Sequence, residues 1–299
     1  MFAKIPIAAS MLFCLLQGVP TASAADRALL VGIGNYEIEA ASLPGISRDI
    51  RSMRDLVGEL GFDEREVLVL QDRAATLAGI RIAVQRHLIH GVTSEDRVLL
   101  YFSGHGTQIP DYNGDEEDGV DESLLPFDAK LVSSSGRQQL VNVLTDDELE
   151  TMLAAIPAGE IIVIVDACHS GTVTRAPVNP DNAREVASVP KSFIYDGMPE
   201  PGKTMTKALK VSGETYNYVG LSAAADDELA IATENGSLFT AALVAELREA
   251  SNSQPLSVFE LAGRVAARIR RNVEPERVFT PQLSGDLRRA ESVHLHVTD

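Results

Sequence analysis

The chain has 299 residues, 45% of them hydrophobic and 23% charged, with 22 glycines and 14 prolines. That composition excludes a disordered, collagen-like or small disulfide-stapled polypeptide and leaves apolar residues for one large core or two ordinary ones. The 26 basic residues stand against 43 acidic ones, a formal net charge of −17. This argues against nucleic acid or an anionic membrane surface as partner and fits a protein that attracts cations or cationic peptides.

Residues 1–24 read as a secretory signal. Lys4 gives a short positive start, Ile5 to Leu16 an apolar run, and Ala22-Ser23-Ala24 a small-residue cleavage site. The run falls short of the ~20 apolar residues a spanning helix needs, so a periplasmic or secreted location and no membrane partner are expected. Removing this segment takes away Cys14 and leaves one cysteine, Cys168, where thiols tend to be paired. A lone thiol there is either a buried small hydrophobe or a nucleophile.

Arg27 to Ile33 is a short apolar run with glycine punctuation, which predicts a buried strand. Residues 46–60 carry Ile50, Met53, Leu56, Val57 and Leu60 at helical spacing. Val67–Leu70 predicts a second strand, 77–89 a second helix, and Val98–Phe102 a third strand that runs into Ser103-Gly104-His105-Gly106. After an acidic loop, Thr145 with Glu148 three later forms a capping box for a helix near 145–155. Ile161–Val165, all β-branched, predicts a fourth strand ending in Asp166-Ala167-Cys168-His169-Ser170-Gly171. Strands alternating with helices predict an α/β fold, a mostly parallel central sheet with helices on both faces. Residues 174–213 hold five prolines and little periodicity, which reads as a linker or exposed loop between a region 25–173 and a region 214–299. In the latter, a strand is expected at 217–222, helices near 237–250 and 257–271, and a short strand at 293–297.

Functional groups of parallel sheets gather at the carboxyl ends of the strands. Two consecutive strands bring His105 and Cys168 to that edge, each in a glycine-flanked turn. An imidazole beside a thiol can take its proton or hold the thiolate as an ion pair, which makes sulfur nucleophilic near neutral pH. The backbone N–H groups of Gly106 and Cys168 are natural donors to an oxyanion. The alternative is a buried packing cysteine and a solvated loop histidine.

These motifs resemble those of the metacaspases, caspase-like cysteine peptidases. The likeness extends over Leu30-Val31-Gly32-Ile33-Gly34-Asn35-Tyr36, Leu43-Pro44-Gly45 with Arg48-Asp49, and the acidic stretch Gly114 to Glu122, and reaches Ser222, Phe239-Thr240 and Thr280-Pro281-Gln282. It covers roughly residues 27–285. It implies the caspase–haemoglobinase fold, with His105 as general base and Cys168 as nucleophile through a thioester, and cleavage after Arg or Lys of protein or peptide substrates. A cationic side chain needs an anion to pair with. Asp166, two residues before Cys168, faces the same way on an extended chain; Asp49 matches the family's second pocket acid, and Ser103 lines the same site. The family's lack of caspase-type dimerisation implies a monomer.

The chemistry itself requires no cofactor. The acidic stretch fails as an EF-hand because Glu116 stands where the loop needs glycine and a strand precedes it. The resemblance instead implies Asp121, Asp146 and Asp147 as ligands of an activating calcium ion, yet the fourth ligand position falls at Arg175, a cation. A calcium site and a solvated acidic face both stay open. Relatives often cut themselves between the two regions, and the linker offers Arg175, Arg184, Lys191, Lys203, Lys207 and Lys210 in an exposed setting. Other caspase-fold cysteine hydrolases, legumain- or clostripain-like or transpeptidases, and a non-catalytic secreted binding protein are the competing classes.

Overall fold

Successive side chains of a strand face opposite ways, so a strand with an unbroken apolar run must be covered on both sides. Arg27–Gly32 (β1) does this: Ala28 and Leu30 enter one apolar cluster, Leu29 and Val31 the other. The computed structural model describes residues 25–114, 116, 119–134, 136–168, 188–199, 216–225, 228–250, 254–272 and 280–298. The expected leader, residues 1–24, and most of 174–213 lie outside them.

After β1 come α1 (Ile46–Glu59), β2 (Val67–Gln71), α2 (Leu77–Ala83) and β3 (Arg97–Ser103). An antiparallel excursion follows: β4 (Gly106–Pro110), β5 (Val120–Leu124), β6 (Lys130–Ser134), β7 (Arg137–Val141) and β8 (Leu144–Thr145). Then come α3 (Asp146–Ala154), β9 (Glu160–Asp166) and β10 (Ser188–Pro190). The remainder is β11 (Val219–Ser222), β12 (Ile231–Thr233), β13 (Gly236–Ser237), α4 (Leu238–Ala250), β14 (Leu256–Ser257), α5 (Val258–Asn272), β15 (Gln282–Gly285), α6 (Leu287–Ala290) and β16 (His294–Leu295). No described helix is long and apolar enough to cross a membrane.

The central sheet has the order β15-β11-β9-β3-β1-β2, parallel except for the antiparallel edge β15. Residues of α1, α4 and α5 pack on one face, and those of α2 and α3 on the other. The α/β expectation holds. Two local differences have physical reasons. The helix expected over 77–89 is α-helical only to Ala83; residues 84–89 widen, with His90 N–H reaching Gln85 O five residues back. At α3, Thr145 Oγ accepts from Glu148 N–H as expected, but the Glu148 carboxylate turns to Arg81 instead of closing the capping box.

Chain order reverses direction at β1, with β2 on one side and β3 on the other, the position at which open α/β sheets hold ligands. The β12–β13 hairpin packs over this edge against the start of α1. Gly45, which opens α1, has φ +72°, and a Cβ there would lie 2.0 Å from Thr233 O. Gly45→Ala is expected to cost at least the 1–2 kcal/mol of a left-handed non-glycine residue plus that clash, read as a lower urea midpoint. An unchanged midpoint would mean that the hairpin moves away freely.

Candidate active site

His105 leaves the end of β3 and is fixed at three atoms. Its backbone N–H donates to Tyr36 Oη (2.8 Å), its carbonyl accepts from Leu125 N–H (2.9 Å), and ring Nε2 lies 2.9 Å from Ala41 O. A carbonyl oxygen only accepts, so Nε2 carries the proton and the neutral ring keeps its lone pair on Nδ1. Nδ1 is buried and has no hydrogen-bond partner among the described residues. Cys168, two residues past β9, is also buried, and its thiol points to Ala230 O at 4.0 Å. Thiol and imidazole are therefore not hydrogen-bonded to one another.

Asp166 closes β9 and lies beside Ser103, its register partner on β3. Its Oδ2 accepts from Thr240 Oγ1 (2.5 Å), which is itself 2.6 Å from Tyr101 Oη. Asp49, on the first turn of α1, accepts from Ser237 N–H (2.8 Å), Ser237 Oγ (2.7 Å) and Ser103 Oγ (3.1 Å). Gly236 permits that approach: a Cβ on it would sit 2.6 Å from Asp49 Oδ1. Two acids, two serines and a threonine thus surround one buried space.

That space is filled from within the chain. Lys191, expected in an exposed linker, is fully buried. Its Nζ lies 2.8 Å from Asp166 Oδ1 and donates to Ser103 Oγ (2.8 Å) and Ser237 Oγ (2.7 Å). Its carbonyl oxygen accepts from Gly106 N–H (2.9 Å) and Cys168 N–H (3.4 Å), and its own N–H donates to Ala230 O (2.9 Å). On the preceding side, Ser188, Val189 and Pro190 pair antiparallel with Thr233, Ala232 and Ile231. On the following side, Ser192 bridges Gly106, Phe193 N–H donates to Gly106 O (2.8 Å), and Thr107 Oγ1 donates to Phe193 O (2.8 Å). The linker expectation fails here because a lysine with two unneutralised acids in reach, and a backbone with open donors on both sides, gains more from docking than from solvent.

Burial governs the electrostatics of the covered site. It pushes the Cys168 thiol up to about 12 and the His105 imidazole down to about 4. Burial also raises Asp49, against the opposing charge of Lys191. The thiolate–imidazolium pair expected from the sequence is thus a neutral pair while residues 188–193 lie over it.

The acids Asp146 and Asp147 open α3 and come together with Glu116, one carboxylate oxygen of each lying within 4.8 Å of the others. Asp146 is pushed up to about 7, first by burial and then by Asp147 and Asp121. Asp121 sits on β5 opposite Ile109, near enough to act on Asp146 by charge but outside that triplet. Glu116 takes its place in the triplet, and Arg175 lies outside the described residues. Ser237, Thr240 and Tyr36 complete the site's hydrogen bonds. Only Tyr36 and Thr240 carried a sequence signal, through the resemblance; Ser237 carried none.

A thiol and an imidazole thus stand on adjacent parallel strand ends, with two backbone amides turned on one carbonyl oxygen. The caspase domain model, Peptidase C14, matches residues 25–290, and the chain belongs to that family. It is 37% identical over 172 residues to Metacaspase-3 of Arabidopsis thaliana, covering 54% of this chain and 44% of that protein. It is 29% identical over 227 residues to Metacaspase-1 of Schizosaccharomyces pombe, covering 72% and 46%. The chain thus spans less than half the length of these relatives. Among solved structures, a Geobacter sulfurreducens protein superposes with TM-score 0.61 at 21% identity, covering 92% of this chain and 99% of that one. Caspase-1 of Spodoptera frugiperda gives 0.57 at 15%, covering 100% and 98%. At those identities they support the fold alone.

With the thiol pushed up to about 12, iodoacetamide should alkylate Cys168 of the intact chain slowly at pH 7.5. The rate, followed by peptide mass, should climb about tenfold per pH unit through pH 9 as the thiolate fraction grows. A plateau near pH 7 would mean that the resting thiol is already ionised.

Proposed function

We propose that the chain is a cysteine endopeptidase that cuts after Lys or Arg, with Cys168 as nucleophile and His105 as general base, and that it cuts itself after Lys191. One observation carries the reading: Lys191 sets its ammonium against Asp166 and its carbonyl oxygen against Gly106 N–H and Cys168 N–H at once. A basic side chain in an acidic pocket and a carbonyl held by two amides beside a thiol are the two halves of substrate binding.

In this mechanism His105 Nδ1 takes the thiol proton as Cys168 Sγ attacks the carbonyl carbon after the basic residue. The developing oxyanion stays on the N–H groups of Gly106 and Cys168. The imidazolium then gives its proton to the leaving amine, the C–N bond breaks, and a thioester remains. Water, deprotonated by the same ring, hydrolyses it and restores the thiol. Ala41 O holds the ring in the tautomer this needs, accepting the Nε2 proton throughout. The thiol must first turn from Ala230 O towards Nδ1. Of the linker's basic residues, Arg175, Arg184, Lys203, Lys207 and Lys210 lie outside the described residues, and Lys191 alone has a placed pocket. An ammonium paired with Asp166, with Asp49 behind the two serines that also hold it, favours this reading over hydrolases that cut after Asn or Asp. The leader-like segment 1–24 supports export to the periplasm or beyond.

The acid triplet fits a calcium ion. Asp146 Oδ1 is buried without a hydrogen-bond partner among the described residues, and three converging carboxylates are a hard oxygen set. Asp146, Asp147 and Glu116 would hold the ion, which would supply charge neutralisation beside β5. The end of β5 adjoins His105 through Leu125 N–H, so ordering this region would steady the base.

Full-length chain should convert to two fragments, the second beginning Ser192-Phe193, whereas Cys168→Ala stays whole and Lys191→Gln converts at least about tenfold more slowly. In a peptide panel differing only at the residue before the fluorophore, Arg and Lys should be turned over and Asn and Asp not. Cleavage after Asn or Asp would sink the specificity. Separately, calcium should raise the melting temperature of the Cys168→Ala chain, and Asp146→Asn should remove most of that rise; an equal rise in both would exclude the triplet.

A further inference from the structure

We infer that the pocket selects lysine over arginine before the scissile bond, and that Ser237 sets this preference. The inference rests on the endopeptidase reading above and narrows its substrate class.

Three oxygens meet Lys191 Nζ: Ser237 Oγ at 2.7 Å, Ser103 Oγ at 2.8 Å and Asp166 Oδ1 at 2.8 Å. The two serine oxygens take hydrogen bonds from the ammonium, and Asp166 Oδ1 stands beside it as the ion-pair partner. Asp49, the second acid, acts through the serines. Both hydroxyls give their single proton to it, Ser237 Oγ at 2.7 Å and Ser103 Oγ at 3.1 Å, and Ser237 N–H adds a third bond at 2.8 Å. A hydroxyl whose proton is engaged this way can only accept from the cation. Asp49 thereby turns two neutral donors into a pair of acceptors at a fixed distance.

The fixed distance suits arginine less well. Counted along the side chain, arginine Cζ falls where lysine Nζ lies, and its two terminal nitrogens extend about 1.3 Å further, towards oxygens only 2.7–2.8 Å from that centre. Its donors form a planar fork suited to a bidentate carboxylate, but Asp166 Oδ2 is already taken by Thr240 and both Asp49 oxygens by Ser237. The far wall cannot retreat cheaply. Ser237 stands on β13, tied to buried Asp49 by backbone and side chain, and Gly236 beside it is held against Asp49 Oδ1. Admitting a guanidinium would break those bonds within a space sealed from water.

Self-cleaved enzyme is assayed with Val-Pro-Lys and Val-Pro-Arg coumarin amides. The expected kcat/KM ratio favours lysine by on the order of tenfold or more. Ser237→Ala keeps the backbone bond to Asp49 while removing one ammonium acceptor, and should narrow the ratio several-fold by a loss on the lysine peptide alone. Parity or an arginine preference in the unmodified enzyme overturns the inference, and so does an equal loss on both peptides in Ser237→Ala. A second arm avoids dependence on that variant's folding: Lys191→Arg should slow self-cleavage by on the order of tenfold, and an unchanged rate would overturn the inference. If neither peptide is turned over at all, the endopeptidase reading falls first, an outcome distinct from a failed preference.

Discussion

The buried ammonium of Lys191 between Asp166 and the two serines is the interaction on which the rest of this site depends. A buried ion pair is weak evidence for stability, since desolvation offsets much of its attraction, but removing one partner strands a charge and costs about 3–5 kcal/mol. Here both members are wholly buried, and Asp49 sits behind them with its pKa already raised by burial. The pocket therefore has a standing need for a cation. A basic side chain meets it, whether from this chain or from another, whereas an acidic one would deepen the penalty. Self-docking and the proposed specificity both follow from this need for a cation.

The same docking explains why the reactive pair rests neutral. Covering His105 and Cys168 removes water from both, and desolvation disfavours the charged form of each. A thiol pushed up to about 12 beside an imidazole pushed down to about 4 is poorly suited to attack an arriving peptide, yet the carbonyl it faces is already seated on two amides. A single intramolecular cut therefore has proximity on its side even where the nucleophile is weak. Withdrawal of residues 188–193 would rehydrate the pair and relax both shifts. The neutral resting pair thus follows from one segment's position.

Much of this was legible in the sequence, and the exceptions have reasons. The parallel strands announced themselves as short apolar runs, and the edge that gathers His105, Cys168, Asp166 and Ser103 followed from strand ends alone. The antiparallel elements β4 to β8 were not legible: Gly106–Pro110 and Lys130–Ser134 are short, partly polar and defined by their partners instead of by an apolar period. Ser237 was invisible because it meets Asp49 across 188 positions of chain, and nothing in Gly236-Ser237 marks that contact. Lys191 was legible as a basic residue in a proline-bearing segment, but its burial was not. Composition made 174–213 look solvent-exposed, while the decisive term, two acids lacking a counter-charge, lies elsewhere in the sequence. Glu116 entered the acid triplet for a similar reason: it looked like a failed calcium-loop glycine only while the stretch was read as a local motif.

The proposed cut after Lys191 would leave a site shared between two pieces. Asp49, Ser103, His105, Asp166 and Cys168 precede the cut, and Ala230, Ser237 and Thr240 follow it. What holds the pieces together is the central sheet, where β11 pairs with β9 over four positions, Val219 to Ser222 against Ile162 to Val165, and the apolar cluster that α1 shares with α4 and α5. Neither depends on residues 188–193. By contrast, β10 is held by three residue pairs to a three-residue partner, a contact too short to stand without the lysine anchor. Cleavage would also turn the Lys191 carbonyl, which sits against Gly106 N–H and Cys168 N–H, into a carboxylate, a new negative charge in a buried place. Under the proposed self-cleavage, an end that docks as an uncut chain would carry that added charge once cut, which would favour its release.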